Sequence, residues 1–343
     1  MGVQLTSIIP KEGISLDDLR GKKIAVDAFN TIFQFLSIIR HRDTGELLRD
    51  SKGRITSHLS GLFYRNINLL ENGVKPIFVF DGEPPKFKRG VVEARKKVRE
   101  EARKKWEKAV EEGRKEDVMV YAQASAKLTD FMIEESKQLL DYMGIPWVQA
   151  KSEGEAQAVL LAKKGDVYAV GSQDFDSLLF GGEVLVRNLS ISGKKKLPRK
   201  EKWVEVTPEI IKLKNVLSEL GLNQEQLIIV GMLIGTDYNP GGIKGVGPKT
   251  ALKLTKENKT LDGVLKKIEW GFENDPHEIF DFFINPPAFE DYSIEAKDLD
   301  LDKVRGFLMD HDFSEARVDN GLNVLKKNKV EGAQTKLENW FKK

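Results

Sequence analysis

Seven carboxylates stand where a folded chain could gather them. Asp27 closes the apolar run KKIAVDAF (22–29), Asp81 closes KPIFVFDGEPP (75–85), and Asp174 ends GDVYAVGSQD (165–174). In a parallel sheet the carboxyl ends of the strands meet along one edge, so these three would converge. Asp176 lies two positions beyond Asp174, and continued strand alternation would point both side chains the same way. Glu153 and Glu155 follow IPWVQA (145–150), where a helix should begin, and Asp237 sits in GTDYN after the apolar run LIIVGMLI. Each acid has an ordinary reading as well. Ser152 with Glu155 fits a capping box, Asp81-Gly82 fits a turn, and so does Asp237 ahead of Asn-Pro. Taken together they resist that reading, because so much negative charge in one place is costly unless cations neutralise it. The acidic run DLDLD (298–302) lies outside any strand end and reads as surface.

The chain contains no cysteine, which excludes thiolate zinc sites, disulfides and cysteine nucleophiles together. Its four histidines, at 41, 58, 277 and 311, lack ligand spacing and read as surface or satisfied core residues. Hard oxygen ligands remain, and they favour Mg²⁺ with Mn²⁺ as a substitute. Two such ions about 4 Å apart suit in-line phosphodiester hydrolysis, in which one ion acidifies the attacking water and both stabilise charge on the phosphate. No side-chain nucleophile is then required.

The elements that must position these acids are legible as a pattern. The four runs that precede them are short and β-branched, as buried parallel strands are. Between them SHLSGLFYRNINLLENG (57–73) and TDFMIEESKQLLDYMG (129–144) read as helices ending on glycine. Alternation of strands with helices predicts an α/β fold, a mainly parallel central sheet flanked by helices. Residues 86–115 break the rhythm with 13 Lys/Arg against 6 Glu, and are expected to project from the core as a charged helix. The stretch from about 326 reads as a basic tail.

At 343 residues and 40% apolar content the chain can bury one large core or two smaller ones. No apolar run approaches membrane-spanning length and MGVQLTSIIPKEG lacks the order of a signal peptide, so a cytoplasmic protein without membrane contact is expected. The net charge of +2 does not by itself mark a nucleic-acid binder; the placement of the 55 basic residues matters more.

GTDYNPGGIKGVGPKTALKL (235–254) combines turn residues with a Gly-Val-Gly-Pro entry into a helix. Pro248 separates Gly247 from Lys249, and the segment follows an apolar helical run, so it is no nucleotide P-loop. A helical hairpin whose backbone N–H groups grip a DNA backbone is the better reading.

With VDAFNTIFQFL, VFDGEPPKFK, SEGEAQA, SQDFDSLLFG and GTDYNPGGIKGVGPK in this order, the chain resembles the flap endonucleases of the xeroderma pigmentosum group G (XPG) nuclease superfamily, archaeal members above all. The resemblance implies that Asp27, Asp81, Glu153, Glu155, Asp174, Asp176 and Asp237 hold metal. It implies catalytic roles for Asp27, Asp81, Glu153 and Asp176 with Lys88 and Arg95, the last two on one face of a helical arch. It implies DNA contacts for Gly2, Phe33, Gly242, Gly245, Gly247 and Lys249, with K⁺ at the hairpin loop. Phe33 stands where the family often has tyrosine; stacking on a base survives that change, a hydroxyl hydrogen bond does not. The implied layout is an N-terminal nuclease region (1–98), an arch (86–130), an internal nuclease region (116–258) with its hairpin (231–254), a C-terminal helical region (259–330) and a tail (334–343). In that tail Gln334, Leu337, Trp340 and Phe341 match a motif for docking on the sliding clamp (PCNA), three of them forming one apolar face. The implied partner is branched DNA with a 5′ flap, and the implied state a monomer.

Two further readings stay open at this level. One is a non-catalytic DNA-junction binder that recruits the clamp, against which the completeness of the acid set argues. The other is an RNA-directed nuclease of the same architecture, which cleavage of matched RNA and DNA flaps would distinguish.

Overall fold

The computed structural model describes residues 2–189, 193–196 and 203–327. Gln334, Leu337, Trp340 and Phe341 lie outside the described residues. The strands are β1 (Glu12–Gly13), β2 (Lys23–Asp27), β3 (Lys75–Phe80), β4 (Trp147–Gln149), β5 (Ala169–Gly171), β6 (Val184–Arg187), β7 (Gly193–Lys196), β8 (Trp203–Val206) and β9 (Glu209–Lys212). The four runs expected as strands form β2 to β5. Seven strands make one sheet in the order β1-β9-β6-β5-β2-β3-β4, and β7 pairs with β8 apart from it. From β6 to β4 the ladder is parallel; β9 runs antiparallel to β6, and β1 antiparallel to β9. The sheet is therefore mainly parallel, with an antiparallel edge that two- to four-residue strands are too short to announce by alternation.

The helices are α1 (Ala28–Ile38), α2 (Ser57–Glu71), α3 (Arg89–Glu111), α4 (Lys115–Ala124), α5 (Asp130–Tyr142), α6 (Gly154–Lys163), α7 (Asp176–Leu179), α8 (Leu213–Leu220), α9 (Gln224–Ile234), α10 (Pro248–Asn258), α11 (Leu261–Leu265), α12 (Pro276–Ile284) and α13 (Leu301–Asp310). Residues 315–327 are helical too. Gly73 and Gly144 follow α2 and α5 with φ of 75° and 68°, the left-handed geometry of a helix stop.

Strand alternation builds two cores. Ile24, Val26, Phe78 and Phe80 face one side with Ile32, Phe63, Leu139 and Leu308, while Ala25, Ile77 and Val79 face the other with Val159, Leu178, Ile228 and Phe283. Each fully buried Leu, Ile or Phe contributes roughly 1.5–3 kcal/mol. A slip of one residue would exchange the two faces, so the register that sets Asp27 opposite Val79 is strongly held.

The charged segment departs from expectation. It is a 3₁₀ turn (Lys86–Lys88) and two helices, α3 and α4, that reverse at Gly113. Ala102, Ala109, Val118 and Ala122 are buried, and the Trp106 indole donates to the Thr44 carbonyl at 2.9 Å. Small residues thus give the pair an apolar seam that a count of large apolar side chains overlooks. No helix among the described residues is long and apolar enough to cross a membrane.

Candidate active site

The strand order places β5, β2, β3 and β4 side by side with their carboxyl ends on one edge, and the acids follow from it. Asp27 ends β2 and caps α1, its carboxylate accepting from the Asn30 N–H at 2.9 Å. Asp81 follows β3 and accepts from the Gly154 N–H at 2.8 Å. Glu153 is the N-cap residue of α6 and Glu155 lies in its first turn, yet the Glu153 side chain makes no capping bond. The capping box does not form either, since Ser152 Oγ is buried without a hydrogen-bond partner.

Asp174 and Asp176 meet for a reason other than strand alternation. β5 ends at Gly171 and Asp176 already opens α7. What joins the two acids is the N-terminal backbone: Gly2 N donates to Asp174 Oδ1 at 3.0 Å and Val3 N to Asp176 Oδ1 at 2.8 Å. A Cβ on Gly2 would stand 2.6 Å from Asp174 Cβ and 2.8 Å from Asp176 Oδ1, so only glycine fits beside them. Gly154 is under the same constraint, its Cβ position lying 2.6 Å from Asp81 Oδ1. Asp237, in the turn after α9, completes the group.

Two cations from the charged segment face these acids. Lys88 Nζ lies 2.7 Å from Glu153 Oε2 and 3.3 Å from Asp237 Oδ2, and the Arg95 guanidinium also pairs with Asp237. The side chains of Lys88, Glu153 and Asp237 are only 13–14% exposed, so solvent does little to screen the pairs. Lys88 precedes α3 in the 3₁₀ turn instead of sharing its face with Arg95, but both reach Asp237.

The charge balance within the site is uneven. Burial, then the neighbouring Asp81 and Asp174 carboxylates, push Asp27 well above the carboxylate range. Burial and Glu153 raise Asp81 to about 6, and burial and Asp174 raise Asp176 to about 7. Burial and Asp176 likewise lift Glu155, whose Oε1 is buried without a hydrogen-bond partner. Burial would raise Asp237 too, but Lys88 and Arg95 beside it hold it down. Burial would depress Lys88, yet Glu153 and Asp237 raise it above its ordinary value. Among the described residues no three acid or histidine side chains already converge at ligand spacing. The donor set is nonetheless all oxygen, short of positive charge on the Asp27, Glu155 and Asp176 side, and includes one orphaned oxygen, which suits hard divalent cations.

Composition gave no reason to single out Asn30 and Gln34. Asn30 Nδ2 donates to Asp174 Oδ2 at 2.9 Å while its backbone N–H binds Asp27, and Gln34 Nε2 holds Asn30 Oδ1 at 2.9 Å. Their places three and seven residues after Asp27 on one helical face are the signal that could have found them.

The chain matches the XPG N-terminal domain over residues 1–102 and the XPG I-region over residues 144–237. It is 54% identical to flap endonuclease 1 of Pyrococcus furiosus over 344 residues, covering all of both chains. This chain belongs to the flap endonuclease family. The structure of the family member from Methanococcus jannaschii superposes with a TM-score of 0.76 at 42% identity, covering 96% of this chain and 100% of that one. The catalytic core of Rad2 in complex with DNA substrate gives 0.70 at 26% identity, covering 95% and 100%.

The other residues expected to contact DNA lie on α1 and at the entry to α10. Phe33 is partly buried, with the Arg99 guanidinium of α3 5.3 Å from its ring centre. Pro248 opens α10 behind Gly247, as the sequence leads one to expect. Gly242 and Gly245 have φ of 61° and 79°, and a Cβ on Gly242 would stand 2.3 Å from the Ile234 backbone, so that loop closes only with glycine. Lys249, Gly245 and Gly247 are exposed at the helix entry.

Proposed function

We propose that this chain cuts 5′ flaps from branched DNA near the junction of single and double strand, with 5′ to 3′ exonuclease action at nicks and gaps, in Okazaki fragment maturation and repair. The observation that carries this reading is the seven-carboxylate cluster with its orphaned Glu155 oxygen, facing Lys88 and Arg95 of the arch. Asp27, Asp81, Glu153, Glu155, Asp174, Asp176 and Asp237 would hold two Mg²⁺ ions, or Mn²⁺ in their place. Bound ions would supply acidification of the attacking water and neutralisation of charge on the phosphate.

The chain's own groups do the rest. Lys88 and Arg95, which face Glu153 and Asp237, offer positive charge to the scissile phosphate, where negative charge develops in the transition state. Phe33 offers a ring for stacking on a base near the cut. The α9–α10 loop, shaped by Gly242, grips the downstream duplex through the N–H groups of Gly245 and Gly247 and through Lys249, and would hold K⁺ there. Residues 334–343 dock on a sliding clamp through Gln334, Leu337, Trp340 and Phe341, and the chain works as a monomer on the DNA of the cytoplasm.

The test is cleavage of a 5′-end-labelled flap DNA with Mg²⁺, with chelator, and by Asp176→Ala, alongside binding of the same DNA. Incision near the flap base is expected with metal only, and the variant should bind normally while cutting at least about a hundredfold more slowly. A wild-type chain that binds the junction but cuts with no divalent metal would instead be a junction binder.

A further inference from the structure

The segment WGFENDPHEIFDFF (270–283) lies outside every motif used so far, yet it touches both sides of the site. Asn274 Nδ2 donates to the Phe87 carbonyl at 3.1 Å and to the Tyr238 carbonyl at 2.8 Å. Phe87 immediately precedes Lys88, and Tyr238 immediately follows Asp237. One amide with two protons therefore joins the root of the arch to the turn after α9, segments 187 and 36 residues away along the chain. The loop that aims this amide is itself held, since the Trp270 indole donates to the Asn274 carbonyl at 2.8 Å. Phe282 of α12 packs edge-on against the Phe87 ring at 5.3 Å and the Tyr238 ring at 5.1 Å, and those two rings meet at 5.4 Å. Lys86 and Glu278 also pair across this junction at 2.9 Å, but both are well exposed and the pair holds little.

We propose that Asn274 is a positioning residue for cleavage: by clasping the peptides next to Lys88 and Asp237 it sets the Lys88 ammonium against the acids, whatever the outer arch does. The inference rests on the reading of Lys88 and Asp237 given above. It also gives the C-terminal helical region a part in the site that its sequence does not announce. Asn274→Ala removes both donors; Asn274→Asp keeps the shape but presents acceptors to two carbonyls.

Single-turnover cleavage of 5′-labelled flap DNA at saturating Mg²⁺, below each variant's melting temperature, tests this, with DNA affinity measured in parallel by anisotropy. Both variants should slow cleavage about tenfold while DNA affinity stays within about twofold. In a Lys88→Ala background Asn274→Ala should cost less than about twofold more, because its effect runs through Lys88. Equal losses in the two backgrounds, or no loss with Lys88 present, would overturn the proposal while wild-type cutting leaves the nuclease reading intact. A wild type that does not cut would remove both.

Discussion

Asp176 is buried beside Asp174, and the single Val3 N–H does not offset that repulsion, so its carboxyl is raised from 3.8 to about 7. A carboxyl whose folded pKa exceeds its unfolded value keeps its proton longer in the folded chain, so stability falls as pH rises through that window. In chelator, Asp176→Asn should therefore be more stable than wild type at pH 8 by on the order of 1–2 kcal/mol, with the gain shrinking toward pH 4. Denaturant titration across pH checks this; a variant less stable than wild type at pH 8 would mean that donors hold the carboxylate more strongly than its neighbours repel it. Added Mg²⁺ should reverse the order, because the wild type, with all seven carboxylates, then gains more from binding. The acids themselves were legible because each ends an apolar run or follows one within a few residues. Asn30 was not, since its one local signal, a place three residues after Asp27, is shared by any polar residue in a helix's first turn.

The α9–α10 hairpin shows how far local chemistry reaches at the level of elements. Its turn residues and Pro248 announce it, and Gly242, with φ of 61° and the Ile234 backbone 2.3 Å from any added Cβ, explains why the loop needs glycine. Gly242→Ala should raise Kd for nicked duplex about tenfold while leaving the single-turnover rate at saturating DNA within about threefold. A loss confined to the rate constant would put the loop in the chemistry instead of in duplex binding. The charged segment 86–115 was less legible. Its charge suggested a projecting helix, whereas the reversal at Gly113 and the seam of Ala102, Ala109, Val118 and Ala122 arise from packing of side chains too small to show a periodic stripe.

Across the whole molecule, the end of α13 is tied to α2 and α5 by a buried polar group that sequence spacing does not reveal. Glu135 of α5 accepts from His311 Nε2 at 2.7 Å and meets His58 Nε2 of α2 at 3.1 Å, all three side chains lying in the core. His311, with Nδ1 on the Phe307 carbonyl and Nε2 on Glu135, is the satisfied core residue that lack of ligand spacing suggested, whereas His58 is buried with its Nδ1 unpaired. Glu135→Gln should destabilise the chain by about 2–4 kcal/mol, since it weakens two buried partners at once. Chemical denaturation measures the loss. Flap cleavage at temperatures well below the melting transition should stay unchanged, because the group is remote from the acids.

The identity of β2 to β5, the helix stops at Gly73 and Gly144 and the place of each acid at or shortly after an apolar run were determined by the sequence itself, because short apolar runs and turn chemistry are properties of a few neighbouring residues. Only the tertiary structure decided that β5, β2, β3 and β4 lie side by side, that the N–H groups of Gly2 and Val3 hold Asp174 and Asp176, and that Asn274 joins Phe87 to Tyr238. Those contacts bridge up to 187 residues of chain, and they depend on which surfaces bury one another, a choice that no short window of sequence contains.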